Sequence, residues 1–153
     1  MLDIRDISVF LWNGKGKVLD IGIGNGLAAI EIAKRFPEAQ VIGVDIWTKQ
    51  FAIFRISKSR AEENAKIEKV NARCTFKYGD ALNLPFEEGK FQLVVSTLTF
   101  HEIPIPDKTV LLKEVIRVLA PGKCFLICDA FGGPYFLKPY KVKDVPELID
   151  KIE

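Results

Sequence analysis

The sequence predicts a three-layer α/β/α fold built on a parallel sheet. Short apolar runs alternate along the chain with longer segments of helical periodicity, which is the pattern of strands joined by helices. A glycine-rich turn at 22–26 follows the first run directly, and the second run ends in an acid. Strand–helix–strand units connect in a right-handed sense, so the carboxyl ends of the parallel strands meet at one edge. We therefore expect a ligand site at that edge.

Length and composition exclude several classes of protein. The 153 residues, 48% of them hydrophobic, predict one domain over residues 1–153. The formal net charge of +2 gives no electrostatic argument for binding nucleic acid or an anionic membrane. No apolar run reaches the roughly 20 residues of a spanning helix. Acids at positions 3 and 6 are unlike a signal peptide, and three cysteines lack metal-ligand spacing. The expectation is a cytoplasmic protein with no metal site.

The first half of the chain predicts three strands with their helices. In order, these are a helix at 3–12, a strand at 17–21, a helix at 26–36, a strand at 40–45, a helix at 48–70 and a strand at 73–78. Pro37 ends the second of these helices, and Thr48 is the candidate N-cap of the third.

The second half predicts the remaining strands. They are a strand at 91–96, a helix at 107–119, a strand at 123–130, a short strand around 136–142 and a helix from Val145 with Asp144 as its N-cap. Pro121-Gly122 is interpreted as the turn that precedes the fifth strand. The expected strand order is 3-2-1-4-5, with the ligand between strands one and four, where the order reverses.

The spacing of the glycine turn separates two kinds of nucleotide ligand. Dinucleotide sites use G-x-G-x-x-G, where a helix N-terminus holds a pyrophosphate. Here the spacing is G-x-G-x-G, at Gly22, Gly24 and Gly26, and Asp20 stands two residues earlier. A carboxylate repels a diphosphate but attracts an ammonium group, so Asp20 is expected to anchor an ammonium through water or the neighbouring turn, with a plain cap of the turn as the alternative. The turn therefore favours S-adenosylmethionine, which has an ammonium and a sulfonium but no phosphate. A nicotinamide-dependent oxidoreductase is the less favoured alternative.

Asp45 ends the second strand, 25 positions after Asp20, which is the span of one strand–helix–strand unit. We expect its carboxylate to accept hydrogen bonds from both ribose hydroxyls, with a helix N-cap as the alternative. Gly22 and Gly24 are expected to let the backbone approach the ligand closely, whereas Gly26 favours close packing of helix against strand.

Five stretches carry a family resemblance. They are V-L-D-I-G-I-G-N-G at 18–26, G-V-D-I-W at 43–47, Y-G-D-A-L-N-L-P-F at 78–86, F-Q-L-V-V-S-T-L-T-F-H-E-I at 91–103, and the stretch at 111–130 that contains L-A-P-G-K. In this order they resemble the motifs of class I S-adenosylmethionine-dependent methyltransferases, which have a Rossmann-like fold. The resemblance implies methyl transfer from S-adenosylmethionine to a small or medium organic acceptor. A cofactor-binding scaffold or regulatory subunit with little activity alone is the alternative.

The resemblance also implies an adenine site at the ends of strands two and three. Ile46 would pack on one face of the adenine ring. Leu82, which follows strand three, would also pack on the ring. The Asp80 carboxylate suits the exocyclic amine, and the Ala81 N–H suits the neighbouring ring acceptor. The alternative for Asp80 is an Asx turn, which aspartate favours by itself. Trp47 is either a second wall of this site or an ordinary core aromatic.

Polar residues at the end of strand four predict the reacting part of the site. Backbone carbonyls of Ser96 and Thr97 are expected to bind the ammonium, with their side chains toward the sulfonium. Residues 99–102 are expected to line the acceptor pocket. His101, the one histidine of the chain, is the candidate catalytic base, with a plain loop position as the alternative. Asp129 is a further candidate for reaching the acceptor.

The C-terminal end departs from the family pattern, in which two further strands close the sheet. Only 23 residues follow Ala130, which is too short for a complete closing hairpin. An uncovered strand edge favours association with another chain. We therefore expect a homodimer or a partner chain to cover the sheet beside strand five.

Overall fold

The computed structural model describes residues 12–49 and 54–129, which form one five-stranded sheet. The strands are β1 (Gly16–Ile21), β2 (Ala39–Asp45), β3 (Cys74–Tyr78), β4 (Phe91–Thr97) and β5 (Leu119–Cys128). The described helices are α1 (Leu27–Arg35), α2 (Lys58–Ile67) and α3 (Thr109–Val118), with a 3₁₀ turn at Phe100–Glu102. None of these helices is both long and apolar enough to cross a membrane.

The strand order is β3-β2-β1-β4-β5, and every pair is parallel, which confirms the predicted topology. β1 lies in the centre and pairs with β2 on one side and β4 on the other. β2 and β3 are added on one side of β1, whereas β4 and β5 are added on the other side. The order in which strands are added therefore reverses between β1 and β4. In open parallel α/β sheets, ligands bind at the carboxyl ends of the two strands where this reversal occurs.

The core lies in two layers, one on each face of the sheet. Successive side chains of β1 alternate: Val18 faces the cluster that contains Ala29 and Ala61, from α1 and α2. Leu19 faces the opposite cluster with Leu111, from α3. Both β1 side chains are fully buried, as expected for a parallel sheet covered on both faces. The three-layer arrangement predicted from the sequence is confirmed.

The predicted continuous helix at 48–70 is wrong, because residues 54–57 are not helical. Arg55 has a φ of 56°, a left-handed conformation that an α-helix cannot contain. The helix begins at Lys58, and the N-cap is Ser57, whose hydroxyl accepts the Arg60 N–H at 3.2 Å. The Thr48 hydroxyl, predicted as the cap, is buried and has no hydrogen-bond partner among the described residues.

A long-range contact explains this break. The Asn25 side chain donates to the Arg55 carbonyl at 3.2 Å and accepts the Ser57 N–H at 3.1 Å. Asn25 lies in the glycine turn after β1, so the start of α2 is fixed by tertiary contacts and not by helix propensity.

The fifth strand also begins earlier than predicted. β5 starts at Leu119, which pairs with Phe91, and the next pair is Leu93 with Cys124. The register shift between these pairs places Pro121-Gly122 inside an irregular part of the strand. Proline has no N–H for a ladder hydrogen bond, so a bulge is a position where it is tolerated. The predicted helix at 3–12, strand at 136–142 and helix from Val145 lie outside the described residues.

Candidate active site

The glycine turn after β1 folds back onto β2 and forward onto the loop after β4. The Gly22 N–H donates to the Val44 carbonyl at 2.8 Å. Gly22 has a φ of 74°, and a Cβ there would lie 2.1 Å from the Thr99 hydroxyl oxygen. Only glycine fits this position, because any side chain would be both strained and in collision. The backbone of the glycine turn therefore packs against the Thr99 side chain of the loop after β4.

The Asp45 carboxylate is held in place by two backbone N–H groups. Its Oδ2 accepts from Gly24 at 2.8 Å, and its Oδ1 accepts from Trp47 at 2.8 Å. Each carboxylate oxygen has two acceptor positions, so each keeps one for a ligand hydroxyl. The carboxylate therefore has a fixed orientation and remaining capacity on both oxygens.

Trp47 has a role that the sequence left open. Its indole N–H donates to the Gly24 carbonyl at 2.9 Å, and its φ is 38°, a strained value for a bulky residue. Its ring meets that of Tyr78 edge-on, with centroids 5.0 Å apart. Trp47 thus connects the glycine turn to the end of β3, which no spacing in the sequence indicates.

Asp20, near the carboxyl end of β1, is a buried acid with an unpaired oxygen. It is 1% exposed, and its Oδ2 has no hydrogen-bond partner among the described residues. Burial raises the pKa of this carboxyl to about 7; the Ala29 N–H opposes the shift and the charge of Asp45 adds to it. A buried polar atom without a partner is costly, so the site is suited to a cationic ligand.

The residues predicted around adenine lie at the ends of β2 and β3. Ile46 is 54% exposed and Tyr78 is 66% exposed, so apolar surface is available there. The Asp80 Oδ1 accepts the Leu82 N–H at 2.9 Å, which is the Asx turn considered as the alternative. Ala81 and Leu82 are partly buried and pack against the α3 side of the core. The turn leaves the other Asp80 oxygen outside this hydrogen bond.

Ser96 and Thr97 end β4 next to β1. The Ser96 hydroxyl is buried and donates to the Ile21 carbonyl at 3.0 Å. This contact ties β4 to β1 and leaves only the Ser96 backbone for the predicted ligand contact. The Thr99 hydroxyl lies 3.2 Å from the Gly22 carbonyl and 3.0 Å from the Thr97 carbonyl. The chain after β4 is therefore fixed against the glycine turn.

The structure joins His101 and Asp129, which the sequence presents separately. Asp129 follows β5, and its Oδ2 accepts the backbone N–H of His101 at 3.1 Å. Its Oδ1 is hydrogen-bonded to His101 Nδ1. The two side chains are only 9% and 1% exposed. The other ring nitrogen, Nε2, lies 3.1 Å from Oε1 of Glu102, a side chain that is 44% exposed.

Lys108 holds the turn that carries His101, a role that the sequence did not indicate. Its ammonium donates to the Phe100 carbonyl at 2.7 Å and to the Ile103 carbonyl, one at each end of the 3₁₀ turn. Burial lowers the pKa of this lysine, and the charge of Asp129 opposes that shift. Among residues 12–49 and 54–129, no three His, Cys, Asp or Glu side chains group as a metal site would require.

Comparison with known proteins agrees with this geometry. A family model described as a methyltransferase domain matches residues 18–122, from β1 into β5. The chain belongs to this methyltransferase family. The resemblance inferred from the five sequence stretches is thereby confirmed.

Two relatives show how the domain relates to longer proteins. Tocopherol O-methyltransferase of Arabidopsis thaliana is 34% identical over 141 residues, covering 89% of this chain and 36% of the relative. Demethylmenaquinone methyltransferase of Thermus thermophilus is 32% identical over 138 residues, covering 86% of this chain and 58% of the relative. The chain thus spans about a third to somewhat more than half of these relatives.

Solved structures share the fold of this methyltransferase domain. Phosphoethanolamine N-methyltransferase 2 of Haemonchus contortus, determined with S-adenosyl-L-methionine, superposes with a TM-score of 0.77 at 28% identity. That match covers 97% of this chain and 35% of the other. The YcgJ protein of Bacillus subtilis matches with a TM-score of 0.75 at 23% identity over 97% of this chain and 65% of the other, which shows the fold alone. The predicted Rossmann-like fold is confirmed.

Proposed function

We propose that this methyltransferase domain binds S-adenosylmethionine and transfers its methyl group to a small or medium organic acceptor. The observation that carries the proposal is the buried Asp20 carboxyl with an unpaired oxygen, near the carboxyl end of β1 where this strand pairs with β4. An ammonium group would supply the missing partner and the missing positive charge. Membership of the methyltransferase family supports the same ligand.

The residues around this part of the sheet fit the rest of the cofactor. Asp45 would hold the ribose hydroxyls, since its two oxygens keep an acceptor position each. Ile46 would pack on adenine, because it is exposed at the end of β2. The remaining proposed contacts are those of the Ser96 backbone and of the backbone or side chains of Gly22, Gly24, Asp80, Ala81, Leu82 and Thr97. When bound, S-adenosylmethionine supplies a methyl group on a positively charged sulfur.

Charge argues against a dinucleotide in the same site. Asp20 and Asp45 are close enough that the charge of Asp45 raises the pKa of Asp20. A diphosphate would add two negative charges beside this acidic pair, which costs free energy in a partly buried site. A cationic amino acid group relieves the same repulsion. The acid pair therefore favours S-adenosylmethionine over a nicotinamide cofactor.

Asp45→Ala tests the ribose contact. The variant loses charge-assisted hydrogen bonds to the ligand and the anchor for the Gly24 and Trp47 N–H groups. We expect roughly 100-fold weaker binding of S-adenosylhomocysteine, measured by titration calorimetry. Glu63→Gln, an exposed acid-to-amide change on α2, is the control and should bind like the wild type. An unchanged dissociation constant in Asp45→Ala removes the ribose assignment, and binding of NAD by the wild type would revive the oxidoreductase alternative.

The scaffold alternative makes a different prediction for the same protein. It predicts S-adenosylhomocysteine binding without methyl transfer to any member of a broad acceptor panel. Transfer to one acceptor at a rate above the background favours the enzyme. The assay therefore separates binding alone from catalysis.

We also propose that residues 1–153 act as one domain, and that a second copy or a partner chain covers β5. Among residues 12–49 and 54–129, β5 is an edge strand that pairs with β4 only, and its Phe125 is 38% exposed, which supports this proposal. Light scattering at micromolar concentration tests this, because a mass of 17.2 kDa would indicate the chain alone.

A cytoplasmic location is proposed from the three cysteines, which are all free.

A further inference from the structure

Two charged side chains of α3, Glu114 and Arg117, hold the loop after β3 that carries the proposed adenine contacts. We propose that these two residues, called here the α3 clamp, are positioning residues that place the Asp80 carboxylate for the exocyclic amine of adenine. This inference rests on the proposed function and specifies how its adenine is recognised. It depends on the hydrogen bonds of the clamp, on its internal geometry, and on the short turn that joins it to Asp80.

The α3 clamp binds the backbone of the loop at three points. Oε2 of Glu114 accepts the Leu84 N–H at 2.7 Å. The Arg117 guanidinium donates to the Leu84 carbonyl at 2.9 Å and to the Phe86 carbonyl at 2.7 Å. Both backbone polar groups of Leu84 are thus bound by side chains of α3. A shift of the loop along the helix would break these hydrogen bonds and leave polar groups of a buried segment unpaired.

The two clamp side chains also fix each other. Nε of Arg117 donates to Oε1 of Glu114 at 2.7 Å, and Nη2 donates to Oε2 at 2.8 Å. This is the two-bond arrangement that a planar guanidinium forms with a carboxylate. The hydrogen bond from Arg117 lowers the pKa of Glu114, burial opposes that shift, and the Leu84 N–H adds to it. Both groups are therefore charged at neutral pH, and their positions are set together.

A tight turn joins the clamped residues to Asp80. The Asn83 N–H donates to the Asp80 carbonyl at 3.1 Å, and the same two residues form an antiparallel bridge. The Leu82 N–H donates to Oδ1 of Asp80 at 2.9 Å. Leu84 follows this turn directly and is only 2% exposed. The position of Leu84 therefore sets the position of the turn, and with it the direction of the second Asp80 oxygen.

Apolar packing holds the same loop but does not orient it. Leu84 and Phe86 lie in the α3-side cluster, and the Phe86 ring meets that of Phe91 edge-on with centroids 5.0 Å apart. Hydrophobic contacts are non-directional, whereas hydrogen bonds have preferred angles. Removing the clamp should therefore leave the loop packed on the core while its turn loses a fixed orientation.

The contact that the clamp would place discriminates between purines. The exocyclic amine of adenine donates to a carboxylate, whereas hypoxanthine has at that position a carbonyl oxygen, which a carboxylate repels. S-Inosylhomocysteine carries hypoxanthine in place of adenine and is otherwise identical to S-adenosylhomocysteine. The ratio of the two dissociation constants therefore reports on the placement of Asp80. It does not report on the amino acid or ribose contacts, which the two ligands share.

Arg117→Met tests the clamp, with both ligands titrated by calorimetry. The wild type should prefer S-adenosylhomocysteine by about 30-fold, as expected for a hydrogen bond to a charged group. Arg117→Met should lower this preference below about fivefold, by weakening S-adenosylhomocysteine while S-inosylhomocysteine stays within roughly twofold. Arg35→Met, which changes an exposed arginine in the last turn of α1, is the matched control and should keep the wild-type preference.

Two further variants separate positioning from general stability. Ile32→Ala removes a fully buried side chain of α1 on the other face of the sheet, so it should lower the urea midpoint and keep the ligand preference. Arg117→Lys keeps the charge but lacks the planar fork, so its preference should lie between those of the wild type and Arg117→Met. Arg117→Lys decides the question if Arg117→Met does not fold.

The possible outcomes distinguish this inference from the proposed function. A wild-type preference in the Arg117 variants, an equal weakening of both ligands, or a lost preference in Ile32→Ala would each overturn the role of the clamp. A wild-type protein that binds the two ligands equally also overturns it and leaves the proposed cofactor standing. A wild-type protein that binds neither ligand overturns the proposed function, and this inference with it.

Discussion

The two sides of the proposed site are built in different ways. On the cofactor side, backbone N–H groups of the glycine turn and of Trp47 hold the Asp45 carboxylate. On the proposed acceptor side, around the loop after β4, side chains hold each other or the backbone, as in the His101–Asp129 pair and the Lys108 contacts. Backbone contacts repeat wherever the same turn forms, whereas side-chain contacts change with one substitution. The comparison indicates that a single substitution alters the proposed acceptor side more readily than the proposed cofactor side.

Asp20 should show the largest effect on the cofactor side. Its carboxyl has a pKa of about 7 in the folded chain against an ordinary 3.8, so unfolding releases a proton between these values. The free energy of unfolding should therefore fall by about 4 kcal/mol as pH rises from 4 to 7, and level off above. Urea denaturation across this range should show the fall in the wild type and not in Asp20→Asn.

Ligand binding should follow the opposite trend with pH. In the proposed site the ammonium pairs with the charged Asp20 carboxylate, so below pH 7 we expect binding to release a proton and the dissociation constant to rise about tenfold per pH unit. Calorimetry of S-adenosylhomocysteine in buffers with different ionisation enthalpies measures that proton. Binding that is independent of pH between 5.5 and 7, with no proton released, would refute the role of Asp20.

Gly22→Ala should break the contact between the two sides. It adds a left-handed alanine and a Cβ that lies 2.1 Å from the Thr99 hydroxyl, so we expect a loss of about 4 kcal/mol in stability. Gly122→Ala is the matched control, since its φ is 69° but nothing lies within 4 Å of the added Cβ. The control should cost about 1–2 kcal/mol. Equal losses in the two variants would mean that the Thr99 contact is unimportant.

Lys108→Met should give the smallest effect and confine it to the acceptor side. Losing its hydrogen bonds to the Phe100 and Ile103 carbonyls should cost about 1.5 kcal/mol in chemical denaturation. The dissociation constant of S-adenosylhomocysteine should stay within about twofold of the wild type, because the free-energy effects of substitutions at separate sites are usually independent. Lys113→Met, which changes an exposed lysine on α3, is the control. A large change in cofactor affinity would show that the two sides are coupled through this turn.

The sequence predicts the local chain geometry around the glycine turn well. It predicts the long-range side-chain contacts of the loop after β4 poorly. The glycine spacing predicts the tight turn at Gly22, and the chain pattern predicts Asp45 at the end of β2, because both positions follow from local chain geometry. The break at Arg55 was missed because Asn25, some 30 residues away, holds it. Likewise the hydrogen bonds of Asp129 to His101 span 28 residues and depend on the register of β5 on β4.

The interlock of Gly22 with Thr99 has a consequence for engineering. Recombination that imports an acceptor loop from another domain of this family would place a foreign side chain where Thr99 now touches the Gly22 carbonyl. A larger residue there would push the imported loop away from the glycine turn even if every other position matched. Chimaera libraries for new substrates should therefore exchange the first turn and the β4 loop together as one cassette.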